Sequence, residues 1–365
     1  MTDLDSLFTP FSLKSLNMRN RIVMSPMGRS SAPGGVPIEA AVPYYGRRAE
    51  GGAGLVISEA SGIARPAASN DPDAPDFHGT ALERWKEVLA AVHAGGAAMA
   101  PQLWHVGAMA DFRYPDLPRP FESPSGRVTA QMPNGGQMTD ADIADTIAAY
   151  ADGARAAKQM GFDMVELHAG HGYLIDQFFW SATNLREDQY NGSIRERTRF
   201  AVEILQAVRE AVGPDFAISL RISQWKTLEF AARLAHTPDE LAHWVEPLAD
   251  AGADIFHCSQ RRFWEPEFEG SELNFAGWVK KLSGRPTITV GSVSLDSDFV
   301  NSTFEGQPAS PVSIENLVER LDRAEFDLVA VGRAMIANPD WAEKVRTGRT
   351  DTLKSFSPAM LATLD

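Results

Sequence analysis

The stretch ELHAGHGYLIDQFFW, residues 166–180, sets His168 and His171 three positions apart and Tyr173 two further on, directly after an apolar run. Such residues suit more than one chemistry. Two imidazoles can ligate a metal, with His105 or Glu166 completing the set, as in barrel hydrolases. They can instead aim N–H donors at an oxygen on which negative charge grows, with the phenol as a proton donor. They can also be packing residues of a barrel that binds but does not catalyse.

The choice depends on which elements carry them. Short apolar runs, each ending in a polar or glycine-containing turn and followed by helical periodicity, recur at 21–25, 54–58, 98–102, 163–167, 217–221, 254–258, 287–291 and 327–331. That is the strand number of a TIM barrel, the α/β fold of eight strands and eight helices. Between them lie helical patterns. One opens on Thr139 and Asp142 at capping-box spacing and stops at Gly161; another runs from about 194 to 212 and breaks at Gly213-Pro214. No linker, low-complexity tract or charge block divides the chain, so residues 1–365 are expected to form a single barrel domain with an N-terminal capping segment. Extended βα loops at 62–80, 112–138 and 292–311 would lie over the face on which barrel enzymes build their sites.

Side-chain alternation then sorts the polar residues. In FDMVELH, Met164, Glu166 and His168 share the face opposite Val165 and Leu167, and the aliphatic face must meet the helices. In FAISLR the same logic turns Ala217, Ser219 and Arg221 inward, and Gln102 occupies the matching end of its own strand. Gly291-Ser292 and Gly332-Arg333 close the seventh and eighth strands, where barrels commonly cradle a phosphate ester: glycine admits the backbone N–H groups and Arg333 adds a charged fork. Either dipeptide alone would serve as an ordinary turn.

Bulk properties narrow the field. A net charge of −14 disfavours nucleic acid and anionic membrane as partners, and no run approaches the roughly 20 apolar residues that span a bilayer. The acidic start, MTDLD, lacks the basic segment of a secretory signal, and the single Cys258 excludes an intramolecular disulfide or a four-thiolate cluster within one chain. A reducing, cytoplasmic setting is expected; a homo-oligomer is left open.

The chain resembles the old yellow enzyme family of FMN-dependent ene-reductases along nearly its whole length. The resemblance rests on LFTPFSLKSLNMRNRIVMSPMGR at the start, YYGRRAEGGAGLVISEA (44–60), QLWHVG (102–107), GFDMVELHAGHGYLIDQFFWSATNLREDQYNGS (161–193), RIS (221–223) and VAVGRAMIANPDW (329–341). It implies non-covalent FMN, NAD(P)H as reductant and a small activated alkene as substrate. Ser25, Pro26 and Met27 resemble the segment lying against the flavin, Ala60 its neighbour from the second strand, and Gln102 the amide on the pyrimidine edge. Arg221 is similar in position to the cation beside flavin N1 and O2, although pairing with Glu166 one strand away is compatible with that role. His168 and His171 match the pair that holds a substrate carbonyl oxygen, Tyr173 the proton donor and Trp104 an aromatic wall. A phenol of ordinary pKa, about 10, stays protonated at neutral pH yet can protonate an enolate carbon. The length and the cysteine count argue against the family's larger iron–sulfur relatives.

Two stretches depart from that pattern. Gly28 follows SPM where relatives usually carry Thr or Cys, so a side-chain hydrogen bond to the flavin is lost and a more negative potential is expected. The segment 258–278 is dense in cations and rings at Arg261, Arg262, Phe263 and Trp264, which suits either a pocket wall, with Trp264 near the site mouth, or a solvated or subunit-contacting loop.

Overall fold

The computed structural model describes residues 4–109, 121–299, 302 and 306–365. Eight parallel strands close into a barrel: β1 (Ile22–Met24), β2 (Leu55–Gly62), β3 (Ala98–Trp104), β4 (Met164–His171), β5 (Ala217–Lys226), β6 (Ile255–Ser259), β7 (Thr287–Val290) and β8 (Leu328–Val331). Each strand pairs with its neighbours in sequence, and β8 returns to β1. The principal outer helices are α1 (Ala41–Glu50), α2 (Ala81–Ala94), α3 (Asp140–Met160), α4 (Leu174–Phe179), α5 (Arg199–Val212), α6 (Pro238–Asp250), α7 (Phe275–Ser283) and α8 (Glu315–Asp322); short α9 (Arg333–Ala337) and α10 (Trp341–Arg346) follow β8. The architecture is a TIM barrel, as the strand count indicates. Among the described residues no helix is long and apolar enough to cross a membrane.

Local signals act where expected. Thr139 accepts from the Asp142 backbone N–H while the Asp142 carboxylate accepts from the Thr139 N–H, closing the reciprocal cap of α3. Gly161 then ends it at φ 93°, a left-handed conformation that costs glycine little. On α5 the apolar positions Phe200, Ile204, Leu205, Val208 and Val212 fall on one face and are buried.

Alternation divides every strand between two environments. Val23, Leu55, Ile57, Ala98, Ala100, Met164, Ala217, Ile255, Ile288, Leu328 and Ala330 fill the barrel interior, and Leu16 and Met18 plug its lower end from the antiparallel hairpin Phe11–Leu13/Leu16–Met18. That hairpin is the N-terminal capping segment. The alternate residues, among them Val56, Met99, Val165, Leu167, Ile218, Leu220, Phe256 and Val329, pack outward against the helices. Each large aliphatic side chain so buried contributes about 1.5–3 kcal/mol. Above the apolar plug the inward positions turn polar, with Gln102, Glu166, Ser219 and His257.

The strands run further at their C-terminal ends than apolar runs alone suggest. The β4 and β5 ladder continues through Ala169↔Ile222 and, past an irregularity, His171↔Lys226. Of the long loops, 62–80 folds back through Ile63 N–H on the Trp104 carbonyl and Val106 N–H on the Ala68 carbonyl. In the loop 112–138, residues Glu122–Ser123 pair with Gly136–Gln137; its portion before residue 121, like 300–301 and 303–305 of the third loop, lies outside the described residues.

Candidate active site

Strand register assembles the site. Ala60 pairs with Gln102, Gln102 with Glu166 and Glu166 with Ser219; one step higher, His168 pairs with Arg221 and Arg221 with His257; higher again, Ser223 pairs with Ser259. Alternation points these into the barrel mouth, except Ala60, which is brought there by an irregularity in β2 between Ile57 and Ala60.

The lower polar layer centres on Glu166, which is fully buried. Its carboxylate accepts from Gln102 Nε2 at 2.8 Å, Ser219 Oγ at 2.9 Å and His257 Nδ1 at 2.9 Å. Burial alone would raise this carboxyl, but His257, Arg221 and Ser219 outweigh it and hold it below its ordinary value. Glu166 is therefore an anion, and Arg221 acts on it through space. The Arg221 side chain reaches toward the Pro26 carbonyl at 3.5 Å and leaves its buried Nε without a partner among the described residues.

The turn that carries the histidine pair is held from two sides. Gly170 lies where a Cβ would meet the Ser223 backbone nitrogen and Oγ at 3.0 Å, a contact tight enough that any side chain there would push β4 away from β5 by a few tenths of an ångström. His171 then adopts φ 65°, a conformation that costs a non-glycine residue of order 1–3 kcal/mol and persists only when its surroundings fix it. They do: His171 N–H donates to Ser223 Oγ at 2.8 Å, and its carbonyl accepts from Thr227 Oγ1 at 2.9 Å. Gly172 N–H donates to Asp176 Oδ2 at 2.6 Å, while Asp176 Oδ1 receives Lys226 Nζ at 2.8 Å in a wholly buried ion pair.

The two imidazoles bond to one another, His168 Nε2 to His171 Nδ1 at 2.9 Å, and His171 Nε2 meets Ser259 Oγ at 2.8 Å. Burial pushes both well below the ordinary histidine range, with the Arg221 cation adding to the push, so both rings are neutral at pH 7. His168 Nδ1 is buried and unpartnered among the described residues. The Tyr173 ring stands edge-on to His168 at 4.9 Å and to Trp104 at 5.4 Å, and Trp104 heads a small apolar cluster with Val106, Ala108, Met109 and Val128. On the other side Trp225 lies 4.4 Å from the His171 ring.

At the opposite rim, Gly332 brings the end of β8 against Ser25 and Met27; a Cβ there would sit 3.4 Å from Met27 Sδ and 3.9 Å from Ser25 Cβ. A Cβ at Gly291 would lie 2.5 Å from the Gln260 carbonyl oxygen, so glycine there serves a close backbone approach. Ser292 Oγ donates to the Arg261 carbonyl at 2.9 Å. Arg333 donates to the carbonyls of Ser297 and Asp298, at 2.7 and 2.9 Å, and to Ser302 Oγ; burial draws it down to about 10.

Sequence reasoning places most of these side chains together, with three differences. Trp264 does not join the mouth cluster: it packs edge-on to Phe263 against the large outer core, and its carbonyl accepts from Arg320 of α8. Arg261 and Arg262 both turn onto the buried Asp298 carboxylate, at 2.7 and 2.9 Å. Among the described residues the metal alternative finds no third ligand. His105 is taken by Glu122 at 2.8 Å, Glu166 faces His257, and among the described residues no group of three His, Cys, Asp or Glu side chains is arranged to hold an ion. Reading the sequence for motifs missed His257, Ser259, Trp225 and the Lys226–Asp176 pair. The alternation in DIFHCS, with Ile255, His257 and Ser259 on one face, was the signal available for the first two.

The donor set fits an anionic, planar, phosphorylated cofactor better than a metal: a buried arginine with an unsatisfied Nε, an inward amide, and a serine–methionine segment packed against a glycine. Comparison with known proteins agrees. The model of the NADH:flavin oxidoreductase / NADH oxidase family matches residues 6–352. The chain is 33% identical to chanoclavine-I aldehyde reductase fgaOx3 of Penicillium roqueforti, covering 88% of this chain and 92% of that protein. It is 32% identical to an NADH oxidase of Thermoanaerobacter brockii over 97% of its own length, and spans about half (52%) of that longer protein. Morphinone reductase solved in complex with tetrahydroNAD superimposes with a TM-score of 0.80 at 30% identity, covering 98% of this chain and 94% of that one. The fold and site define a barrel flavin oxidoreductase, and the chain belongs to the NADH:flavin oxidoreductase family, the old yellow enzymes.

Proposed function

We propose that this protein is an FMN-dependent ene-reductase that uses NAD(P)H to saturate a small activated alkene such as an α,β-unsaturated carbonyl compound. The observation that carries the reading is the convergence of Arg221, the neutral His168–His171 pair and Tyr173 on one mouth lined by Trp104. FMN, when bound, supplies the two-electron carrier that accepts hydride from the nicotinamide and returns it to the β-carbon of the alkene.

The chain's own residues supply the rest. Ser25, Pro26, Met27 and Ala60 would line the isoalloxazine, Gln102 would meet its pyrimidine edge, and Arg221 would set a fixed cation beside the locus where reduced flavin is negative. Gly291, Ser292, Gly332 and Arg333 would hold the phosphate ester, Arg333 exchanging loop carbonyls for phosphate oxygens of higher charge.

His168 and His171 hold the acceptor's carbonyl oxygen. Their neutrality matters, because a neutral imidazole donates an N–H without transferring its proton outright, and each such donor lowers the barrier by about 3 kcal/mol. The bond between the two rings must be exchanged for the substrate oxygen, and Ser259 keeps His171 oriented while that happens. Tyr173, at the first turn of α4, holds the proton delivered to the α-carbon. The protein purified with FMN and assayed anaerobically with cyclohexenone and NAD(P)H tests the reading: nicotinamide oxidation matched by saturated ketone supports it, and nicotinamide oxidation without that ketone refutes it.

A further inference from the structure

His257 belongs to the polar layer beneath the mouth but is absent from the chemistry above. The ring is fully buried on β6, directly beside Arg221 in the strand register. Its Nδ1 meets Glu166 at 2.9 Å; because an ionised carboxylate only accepts, Nδ1 carries the hydrogen. Burial and the neighbouring Arg221 cation keep the ring neutral against the pull of Glu166. In a neutral imidazole whose Nδ1 is protonated, Nε2 is a bare lone pair. That atom is buried and has no hydrogen-bond partner among the described residues. A buried polar atom left unsatisfied is costly and calls for a reason.

Charge balance supplies one. Glu166 and Arg221 cancel, so Arg221 is a countercharge already spent in part on a carboxylate. A cofactor that gains negative charge on reduction would leave this water-poor layer with a net charge of minus one. The groups that bear on His257 are few: Glu166 and the neutral His168 and His171 from β4, and Arg221 from β5. From β7 the residue paired with it is Ile288, which cannot titrate. His257 is the one group in the layer with both a free basic atom and a carboxylate partner ready to stabilise its cation.

We propose that His257 binds a proton at Nε2 when the flavin is reduced and releases it when the flavin is reoxidised, so that the Glu166–His257–Arg221 layer keeps the buried charge balanced in both redox states. This rests on the FMN reading above. The balance is simple. In the first half-reaction the nicotinamide delivers hydride, two electrons with one hydrogen, and one solvent proton goes to His257. In the second, the alkene takes the hydride at its β-carbon and a proton from Tyr173 at its α-carbon. The tyrosine is reprotonated at the expense of the proton that leaves His257. The cycle as a whole consumes one proton, and His257 moves that consumption into the reductive half.

Potentiometry of the FMN-loaded protein against pH tests this independently of turnover. With His257 taking up a proton, two protons accompany two electrons, and the midpoint potential falls by about 59 mV per pH unit; with one proton it falls by about 30 mV. The expected result is the two-proton slope for wild type near neutral pH and half that slope for His257→Gln, whose amide can still donate to Glu166. A one-proton slope in wild type, or an unchanged two-proton slope in the variant, overturns the proposal. Should the variant fail to fold, spectra of [15N]histidine-labelled wild type decide: one ring passing from neutral to doubly protonated on reduction supports it, and all rings unchanged overturns it. Protein that binds no FMN at all overturns the functional reading itself, whereas stoichiometric FMN with the one-proton slope overturns this inference alone.

Discussion

Replacing Lys226 by Met tests how the catalytic turn is held. Lys226 Nζ and Asp176 Oδ1 lie 2.8 Å apart, and both residues are essentially inaccessible, at 1% and 0% exposure. The pair is not itself strong evidence of stability, but removing one partner strands the other charge, at a cost of about 3–5 kcal/mol. Burial already raises the Asp176 carboxyl while Lys226 opposes it, so loss of the cation drives this carboxyl to take up a proton and relieves part of that cost. A net loss near ~3 kcal/mol is therefore expected, read as a lower urea midpoint of the apoprotein at constant slope. Asp176→Leu added to Lys226→Met should recover some of it and leave a deficit of about 1–3 kcal/mol, because Gly172 N–H then lacks its acceptor. Since Gly172 joins His171 to Tyr173, Lys226→Met should also weaken the binding of an added phenol, whose oxygen mimics the enolate oxygen that His168 and His171 would hold. A destabilisation below about 1 kcal/mol would refute the argument that this pair fixes the turn.

Other predictions follow from the same geometry. Gly28→Thr should raise the flavin midpoint potential by roughly 20 mV, the equivalent of one hydrogen bond of about 1 kcal/mol in a two-electron couple; a Cβ at Gly28 meets no protein atom within 4 Å, and an unchanged potential would count against the lost-bond account. Tyr173→Phe should slow alkene reduction by about 10²–10⁴ while flavin reduction by nicotinamide stays nearly intact in stopped flow; equal slowing of both halves would remove Tyr173 as the donor. His105, His168, His171 and His257 are all buried and held below the ordinary value. Between those folded values and about 6.5 the unfolded chain binds more protons at these four positions, so their contribution to apoprotein stability rises with pH there and is lost on acidification below about 6.5, partly offset by the buried carboxyls of Glu59 and Glu267, both pushed up to about 7. Each histidine contributes up to about 1.4 kcal/mol per pH unit, and His168→Asn with His171→Asn should flatten the slope.

The barrel was legible because its physics is repetitive. Each apolar run had to serve two faces, and the alternation in FDMVELH and FAISLR correctly turned Glu166, His168, Ser219 and Arg221 inward. The reciprocal cap at Thr139 and the stop at Gly161 were equally local. What escaped was non-local or buried among hydrophobic neighbours. His257 lies within an apolar strand, and its partner Glu166 is 91 positions earlier in the chain. Lys226 and Asp176 meet only because β5 continues beyond its apolar run, and nothing in RISQWK marks a lysine that will be buried. Rings and cations just past the end of β6 make Trp264 a candidate for the mouth, yet in the structure it packs edge-on to Phe263 against the outer core and Arg320 takes its carbonyl, while Arg261 and Arg262 turn onto Asp298. Density of rings and cations in a loop does not fix which way the loop faces.

A flavin held at this barrel mouth by Arg221 and reduced by nicotinamide underlies every role assigned to these residues. Anaerobic spectrophotometry of the purified protein measures it directly. The protein should be yellow with one FMN per chain, bleach with NAD(P)H and regain its colour on addition of one equivalent of enone, and Arg221→Met should bind FMN more weakly. A colourless protein that takes up no FMN, or a bound flavin that NAD(P)H cannot bleach, would contradict it.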